Sequence, residues 1–548
     1  MFRIGIDFDN TIVCYDQAFP DVASMMGLVT HEVASSKVDT KARVLSRPDG
    51  ELDWQRLQGQ VYGKHMLRAE MFPGFLEFLH LSKLRGHKIF IVSHKSEFGH
   101  FDEDRVPLRD QAILWMQANK FFDENGLGVS RQDVFFESTR EDKVRRIRDL
   151  ACTHFIDDLR EVFEEPHFPD ETQKILFRPN PSGPDHSSAL TVASWRELAQ
   201  QLHGPGTEAE VCRIVQARFP SLGVKRVELR KGRGNSRVYE LTAGSEKKYA
   251  LKVYPDRQRD PRPRLETEFS ACQELRGRGY PVVEALVNDK SLGWGIYFWI
   301  SGSPIEVPDE LFLDDAIEFV RRLYSDSRII DSFGQFHQAS EACLSGSEIV
   351  WQIHSRLQKL RAVESEELAD FLGGEFLPYF TLAVQSAKNE CGMLFDTELP
   401  GSLQMPSPSD FGSHNALRVE GGRSVFIDFE YFGWDDPVKL ASDFYWHPGM
   451  RLAPGTREQW ITSCLEIFQE DPSFSLRLNS YLPLYGLKWC LILLNEYLSQ
   501  GAGNRLHANP KKANDLAKIR VDQLYKSRKL LLEIKETTDD YGSAIQAS

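Results

Sequence analysis

Short apolar runs alternating with helix-length runs constrain the first 200 residues of this chain more than any other feature. FRIGIDF, HKIFIVSHK, THFIDDL and TQKILFR read as strands, and FLEFLHLSKLRGH and REDKVRRIRDLA read as helices among them. That alternation predicts an α/β fold, a parallel sheet covered by helices. Ligands of such sheets gather beyond the carboxyl ends of the strands. The sequence puts its polar residues there: Asp7 and Asp9 after the first strand, Ser93 on the next, and Asp157 and Asp158 on a later one. Lys143 lies on the helix before that last strand. Residues two apart on a strand share a face, so Asp7, Asp9 and Thr11 are expected to leave the tip on one side if extension continues. Carboxylates suit Mg²⁺, and hydroxyl or ammonium donors suit phosphate.

At 548 residues the chain is too long for one ordinary core. RPNPSGPDHSSA has linker composition, but TVASWRELAQQL after it reads as one more helix of the first domain. The boundary is therefore placed at HGPG, giving domains 1–204 and 208–548. Beyond it VKRVELRKGRGNSRVYELTAG, KKYALKVYPD and GIYFWISGSP are strand-like, and RLETEFSACQELRGRG is helical. From about residue 310 the reading is helix, apart from PSDFGSHNALRVEGGRSVFIDFEYFGWDDP. A small β-rich lobe followed by a large helical lobe predicts an α+β arrangement with a cleft between them.

A net charge of -14 argues against a surface that coats nucleic acid. The eight cysteines are scattered without ligand spacing, which suits reduced thiols in a cytoplasm. No secretory pattern is visible at the start. YLPLYGLKWCLILLNEYL carries Lys488 and Glu496 and reads as a buried core helix instead of a membrane span. The expected partners are small molecules, with neither nucleic acid nor membrane.

DFDNT, the serine of IVSHK, Lys143 and the FIDDL pair, in that order, resemble the four motifs of the haloacid dehalogenase superfamily of phosphatases, over roughly the first 200 residues. The resemblance implies a Rossmann-like sheet, Asp7 as nucleophile and Asp9 as general acid and base. It implies phosphate held by Thr11, Ser93 and Lys143, and Mg²⁺ held among Asp7, Asp9 and Asp157 or Asp158. The segment between the first two motifs is too short for a large separate cap.

KGRGNSRVYEL places Gly232 and Gly234 between strand-like runs, as a loop over phosphates requires. YALKVY sets Lys252 on a strand, and the following helix offers Glu268, or less favourably Glu266, as its partner. PSDFGSHN and FIDFE come far downstream. This ordered set resembles the aminoglycoside and choline kinase-like branch of the protein-kinase fold, a bilobal arrangement, over most of residues 208 to 500. The resemblance implies Lys252 on the phosphates of ATP, Glu268 on Lys252, Asp410 as base for the acceptor hydroxyl, and Asn415 and Asp428 on Mg²⁺. Pro408 and Ser409 stand where that family more often has histidine and glycine, which alters the turn before Asp410. His414 reads as loop structure, and Asp435 and Asp436 as a turn closure.

A kinase and a phosphatase acting on one hydroxyl would only hydrolyse ATP. The expectation is a bifunctional Mg²⁺-dependent phosphatase and ATP-dependent kinase acting on different positions of sugar-like or amino-alcohol metabolites, as activated-sugar assembly requires. Two other readings stand beside it: a drug- or metabolite-modifying kinase with an accessory phosphatase, and a regulatory protein whose kinase-like lobe senses nucleotide without transfer.

Overall fold

Runs rich in Val, Ile and Phe become strands because β-branched and aromatic side chains fit a buried pleated surface. A computed structural model describes the chain except residues 30–35, 100, 102–103, 124–126, 180–188, 205, 231–235, 256–259, 330, 499–515 and 547–548. The first part contains β1 (Arg3–Ile6), β2 (Val13–Cys14), β3 (Glu70–Met71), β4 (Lys88–His94), β5 (Val134–Glu137), β6 (His154–Asp157), β7 (Gln173–Phe177) and β8 (Leu190–Val192). Six of these form one sheet in the order β5-β4-β1-β6-β7-β8, every pair parallel. The strand β1 is central, with Ile4 opposite Ile89 on one side and His154 on the other. β8 occupies the start of the stretch read as a single helix, and that helix begins only at Trp195.

The helix Arg140–Asp149 starts where the Thr139 hydroxyl accepts the Asp142 N–H at 3.0 Å. One turn on, it buries Lys143 together with Val144 and Ile147. Residues between β2 and β3 add the helices Ala18–Met25, Lys37–Leu45 and Gly50–Tyr62.

A second sheet comprises β9 (Val224–Arg230), β10 (Arg237–Ala243), β11 (Lys248–Val253), β12 (Ala285–Asp289) and β13 (Trp294–Phe298), antiparallel in the order β12-β13-β11-β10-β9. Its strands alternate faces. Tyr249, Leu251 and Val253 of β11 join the core of the N-terminal part, whereas Lys252 faces the helix Arg264–Gly277. Helices dominate the remainder. Within it lie β14 (Gly302–Pro304), β15 (Met405–Ser407), β16 (Ala416–Val419), β17 (Ser424–Phe426) and β18 (Gly433–Asp435), grouped as β14-β16-β17 and β15-β18.

The helices Trp195–His203 and Glu208–Arg218 are separated by a turn at Gly204, whose φ is +69°. The apolar core does not divide at that turn. Ile4, Phe75 and Trp195 belong to the same buried cluster as Val215, Leu241, Leu251 and Trp294. A second large cluster fills the helical part. Among the described residues no helix is long and apolar enough to cross a membrane. Lys488 is buried in the helix Phe474–Leu493, where its ammonium donates to Gln352 Oε1 at 2.5 Å.

Candidate active sites

Asp7 follows β1 directly, and its N–H still donates to Ile156 O at 2.9 Å, so the backbone is held beside β6. Extension ends there. Asn10 has φ +57°, and Phe8 O accepts both Ile12 N–H and Val13 N–H at 3.0 Å, so the chain turns tightly. Asp7, Asp9 and Thr11 therefore do not share a strand face as the sequence spacing predicts; a loop with a left-handed residue carries the last two.

Lys143 Nζ lies 2.6 Å from both Asp7 Oδ1 and Asp157 Oδ2, with all three side chains nearly free of solvent. Asp158 joins them: one oxygen from each of Asp7, Asp157 and Asp158 lies within 4.8 Å of the others. Burial pushes the Asp7 carboxyl up to about 7, against the pull of Lys143, and Asp157 adds to the rise. Burial raises Asp158 as well, with Asp7 and Asp157 contributing repulsion. Burial disfavours the Lys143 charge, yet Asp157 and Asp7 outweigh it and hold its pKa above the usual lysine value.

Three crowded carboxylates suit a hard divalent cation. Thr11 Oγ1 and Ser93 Oγ are buried without a hydrogen-bond partner, two polar atoms whose cost an incoming phosphoryl oxygen would remove.

Asp9 departs from the metal set read from the sequence. It stands outside the three-carboxylate group, and its Oδ1 and Oδ2 accept from Lys95 Nζ at 3.0 and 2.8 Å. Tyr15 OH donates to the same carboxylate at 2.5 Å. Both partners reach Asp9 only through the fold. Lys37, from the helical insert, donates to Asn10 Oδ1 at 2.5 Å and to Tyr62 OH at 3.1 Å.

The second group of side chains lies on the helical side of the five-stranded sheet. Lys252 Nζ is 2.6 Å from Glu268 Oε2 and 2.5 Å from Asp428 Oδ1, so Glu268 rather than Glu266 is the partner. Glu430, which the sequence reading left out, is 3.1 Å from Lys252 and is also gripped by Arg264. Its only sequence signal is its place two residues beyond Asp428. Glu268, Asp428 and Glu430 bring one oxygen each within 4.8 Å of one another. Burial raises Asp428 to about 7, Lys252 opposes it, and Glu430 and Glu268 add to it. These carboxylates also suit a hard cation. Gly232 and Gly234 lie outside the described residues.

Asp410 and Asn415 share a loop: Asn415 Nδ2 donates to Asp410 O at 2.9 Å, leaving its Oδ1 as the atom able to meet a cation. The altered residue before Asp410 has a structural consequence, because Ser409 takes φ +66° and its hydroxyl accepts from buried Lys439 at 2.9 Å. His414 is more than loop structure. Its Nε2 donates to Asp410 Oδ1 at 2.8 Å, and its ring stacks on His447 at 3.8 Å. Gly449 N–H donates to His447 Nδ1 at 3.1 Å, which turns His447 Nε2 toward Asp410 at 3.6 Å. Burial alone would raise Asp410; His414, then His447 and Asn415, outweigh it and hold the carboxyl below its usual range. Asp435 and Asp436 accept backbone N–H groups at the start of the helix Pro437–Trp446.

No protein-family model matches the chain, and no curated protein matches it. Among solved structures it is similar to spectinomycin phosphotransferase APH(9)-Ia in complex with ADP and spectinomycin, at 14% identity and TM-score 0.40, covering 58% of this chain and 99% of that one. It is similar to the choline kinase LicA from Streptococcus pneumoniae at 16% identity and TM-score 0.38, covering 59% and 98%. An ethanolamine kinase from Plasmodium vivax aligns at 13% identity and TM-score 0.39, covering 62% and 94%.

Proposed function

We propose that the chain is a bifunctional enzyme, with a phosphomonoester hydrolase built on residues 1–204 and an ATP-dependent small-molecule kinase built on residues 208–548. The observation that carries the first half is Lys143 bridging Asp7 and Asp157, with Asp158 completing a group of three carboxylates. In this reading Asp7 attacks phosphorus, and the bond to the leaving oxygen breaks as Asp9 protonates that oxygen. Water then attacks the aspartyl phosphate while Asp9 takes its proton, releasing inorganic phosphate and regenerating Asp7. Lys143, Ser93 and Thr11 hold the phosphoryl oxygens. Asp7, Asp157 and Asp158 would hold Mg²⁺, which supplies neutralising charge when bound. Lys95 and Tyr15 orient Asp9.

In the second half Lys252, fixed by Glu268, holds nucleotide phosphates. Asp410 accepts the proton of an acceptor hydroxyl, with Oδ1 committed to His414 and Oδ2 left for the substrate. Asn415, Asp428 and Glu430 would hold the metal. Opposed chemistries in one chain make sense when they act on different positions of sugar-like or amino-alcohol metabolites. Activated-sugar assembly is such a route.

The test is phosphate release and ATP consumption by the full chain with Mg²⁺, across sugars, amino alcohols and their phosphates. Asp9→Asn should reduce phosphatase turnover by at least two orders of magnitude while leaving nucleotide binding unchanged. Asp410→Asn should do the reverse. Loss of both activities in either variant counts against separate sites. ATP bound but transferred to no acceptor would favour the nucleotide-sensing alternative, for which the left-handed Ser409 is the structural reason.

A further inference from the structure

Where the five-stranded sheet packs on the N-terminal part, one arginine of that part grips the end of the strand carrying Lys252. Arg196 donates from its guanidinium to the carbonyls of Tyr254 and Leu292, and lies 3.3 Å from Glu77 Oε2. Tyr254 immediately follows β11. Counting by twos from Lys252, its side chain falls on the same face, and its hydroxyl donates to Glu268 Oε2 at 2.7 Å. That is the oxygen Lys252 meets at 2.6 Å. One guanidinium thus holds the backbone of the residue whose side chain orients the lysine's carboxylate.

The surrounding geometry is built around this contact. The turn that offers Leu292 O is shaped by Asp289, which accepts the Leu292 N–H at 3.0 Å and pairs with Arg218 at 2.6 Å. Gly293, at φ +64°, leaves room for the guanidinium; a Cβ there would stand 2.7 Å from Arg196 Nη2. Gly74, at φ +84°, does the same for the stem, and its N–H donates to Ser291 O at 3.0 Å. The preceding residue anchors the arginine's own backbone: Trp195 is fully buried, and its Nε1 donates to Thr11 O at 2.9 Å.

We infer that Arg196, a residue of the N-terminal half, is a positioning residue for the Lys252–Glu268 pair, so that the nucleotide site is complete only when both halves are present. This rests on the kinase reading of the second site. Groups that support a ligating residue from behind typically change affinity or activity by roughly one to two orders of magnitude when removed.

The experiment is calorimetric binding of AMP-PNP with Mg²⁺ to the full chain, in the wild type and in Arg196→Gln, Arg196→Lys, Tyr254→Phe and Lys252→Met. Arg196→Gln is expected to weaken binding about tenfold, with Arg196→Lys recovering part of the loss because it restores the charge but not the double donation. Tyr254→Phe removes the link to Glu268 without touching the interface, so it should weaken binding in the same direction and decides the matter should Arg196→Gln not fold. The phosphatase kcat/KM should stay within twofold in Tyr254→Phe, a split that general loss of structure would not produce. Wild-type binding in Tyr254→Phe, or in a folded Arg196→Gln of unchanged unfolding midpoint, overturns the inference and leaves the kinase reading standing. Wild type binding no better than Lys252→Met overturns both.

Discussion

A lysine clamped between carboxylates recurs at both sites, and in the proposed reading the protons of those carboxylates set how each site would meet a cation. Asp7 is raised to about 7, chiefly by burial. A metal ligand must be deprotonated. Because the shift is upward, the proton-bound fraction grows as pH falls below about 7, so proton and Mg²⁺ compete for the same oxygen. Asp428, raised to about 7 in the same way, obeys the same sign. Apparent Mg²⁺ affinity is therefore expected to fall about tenfold between pH 8 and pH 6. Titration calorimetry at the two pH values checks this, with Asp7→Asn removing the N-terminal component; equal affinities at both would contradict it. At this scale the sequence makes Asp7, Lys143, Lys252 and Glu268 legible, because each stands at a strand end or a helix turn of known offset. Lys95, Tyr15 and His447 escape it. Tyr15 meets Asp9 across the tight turn after β1, Lys95 comes in from the end of the neighbouring strand β4 and His447 from the end of the helix Pro437–Trp446, and no periodic spacing encodes those contacts. Thr11 misled the reading in the other direction: period-two spacing means a shared face only while the chain stays extended, and Asn10 ends the extension.

Elements transmit these placements, and the helix Glu208–Arg218 matters most because it lies under both parts. It begins with a capping box, in which Thr207 Oγ1 accepts the Glu210 N–H and Glu210 accepts the Thr207 N–H at 2.8 Å. Glu210 also receives Arg85 from the N-terminal part at 2.8 Å, while Arg218 at the other end holds Asp289. Val211, Ile214 and Val215 point into the shared core. Thr207→Ala should cost about 1 kcal/mol, and Thr207→Ser should restore most of it. Denaturant unfolding followed by far-ultraviolet dichroism measures the difference. A loss confined to local fraying, without a shift of the main transition, would mean that this helix does not bind the halves together. The strands β1, β4, β6 and β7 were readable from apolar runs, and the central block of the helical part from its turn residues. β5 and β8 were not. VFFE of β5 is as long as β1 and β6 but lies at the sheet edge, half-buried throughout, and the three residues of β8 merge into a helix-like run.

At the scale of the whole molecule, the turn at Gly204 looks like a place to cut the chain, yet the core argues against doing so. The face of the second sheet formed by Tyr239, Leu241, Leu251, Trp294 and Ile296 is buried against the cluster that contains Phe75, Trp195 and Val215. Composition could not reveal this, since alternating strands predict one apolar face without naming what covers it. Each large side chain returned to water costs about 1.5–3 kcal/mol, so uncovering several of them rivals the entire stability of a domain. A contiguous apolar patch of that kind is also an aggregation surface. The full chain is therefore expected to unfold in one main transition. Residues 208–548 made alone should aggregate or lack a sharp transition, and the piece 1–204 should co-purify with them when both are made together. Light scattering and calorimetry on the full chain, each fragment and the co-expressed pair provide the measurement. A monodisperse 208–548 fragment binding AMP-PNP as tightly as the full chain would break this expectation, and would also remove Arg196 from the nucleotide site. A fragment that regains binding only when 1–204 is present would tie the two parts together at the proposed nucleotide site: the N-terminal part would be the wall against which the second part sets Lys252.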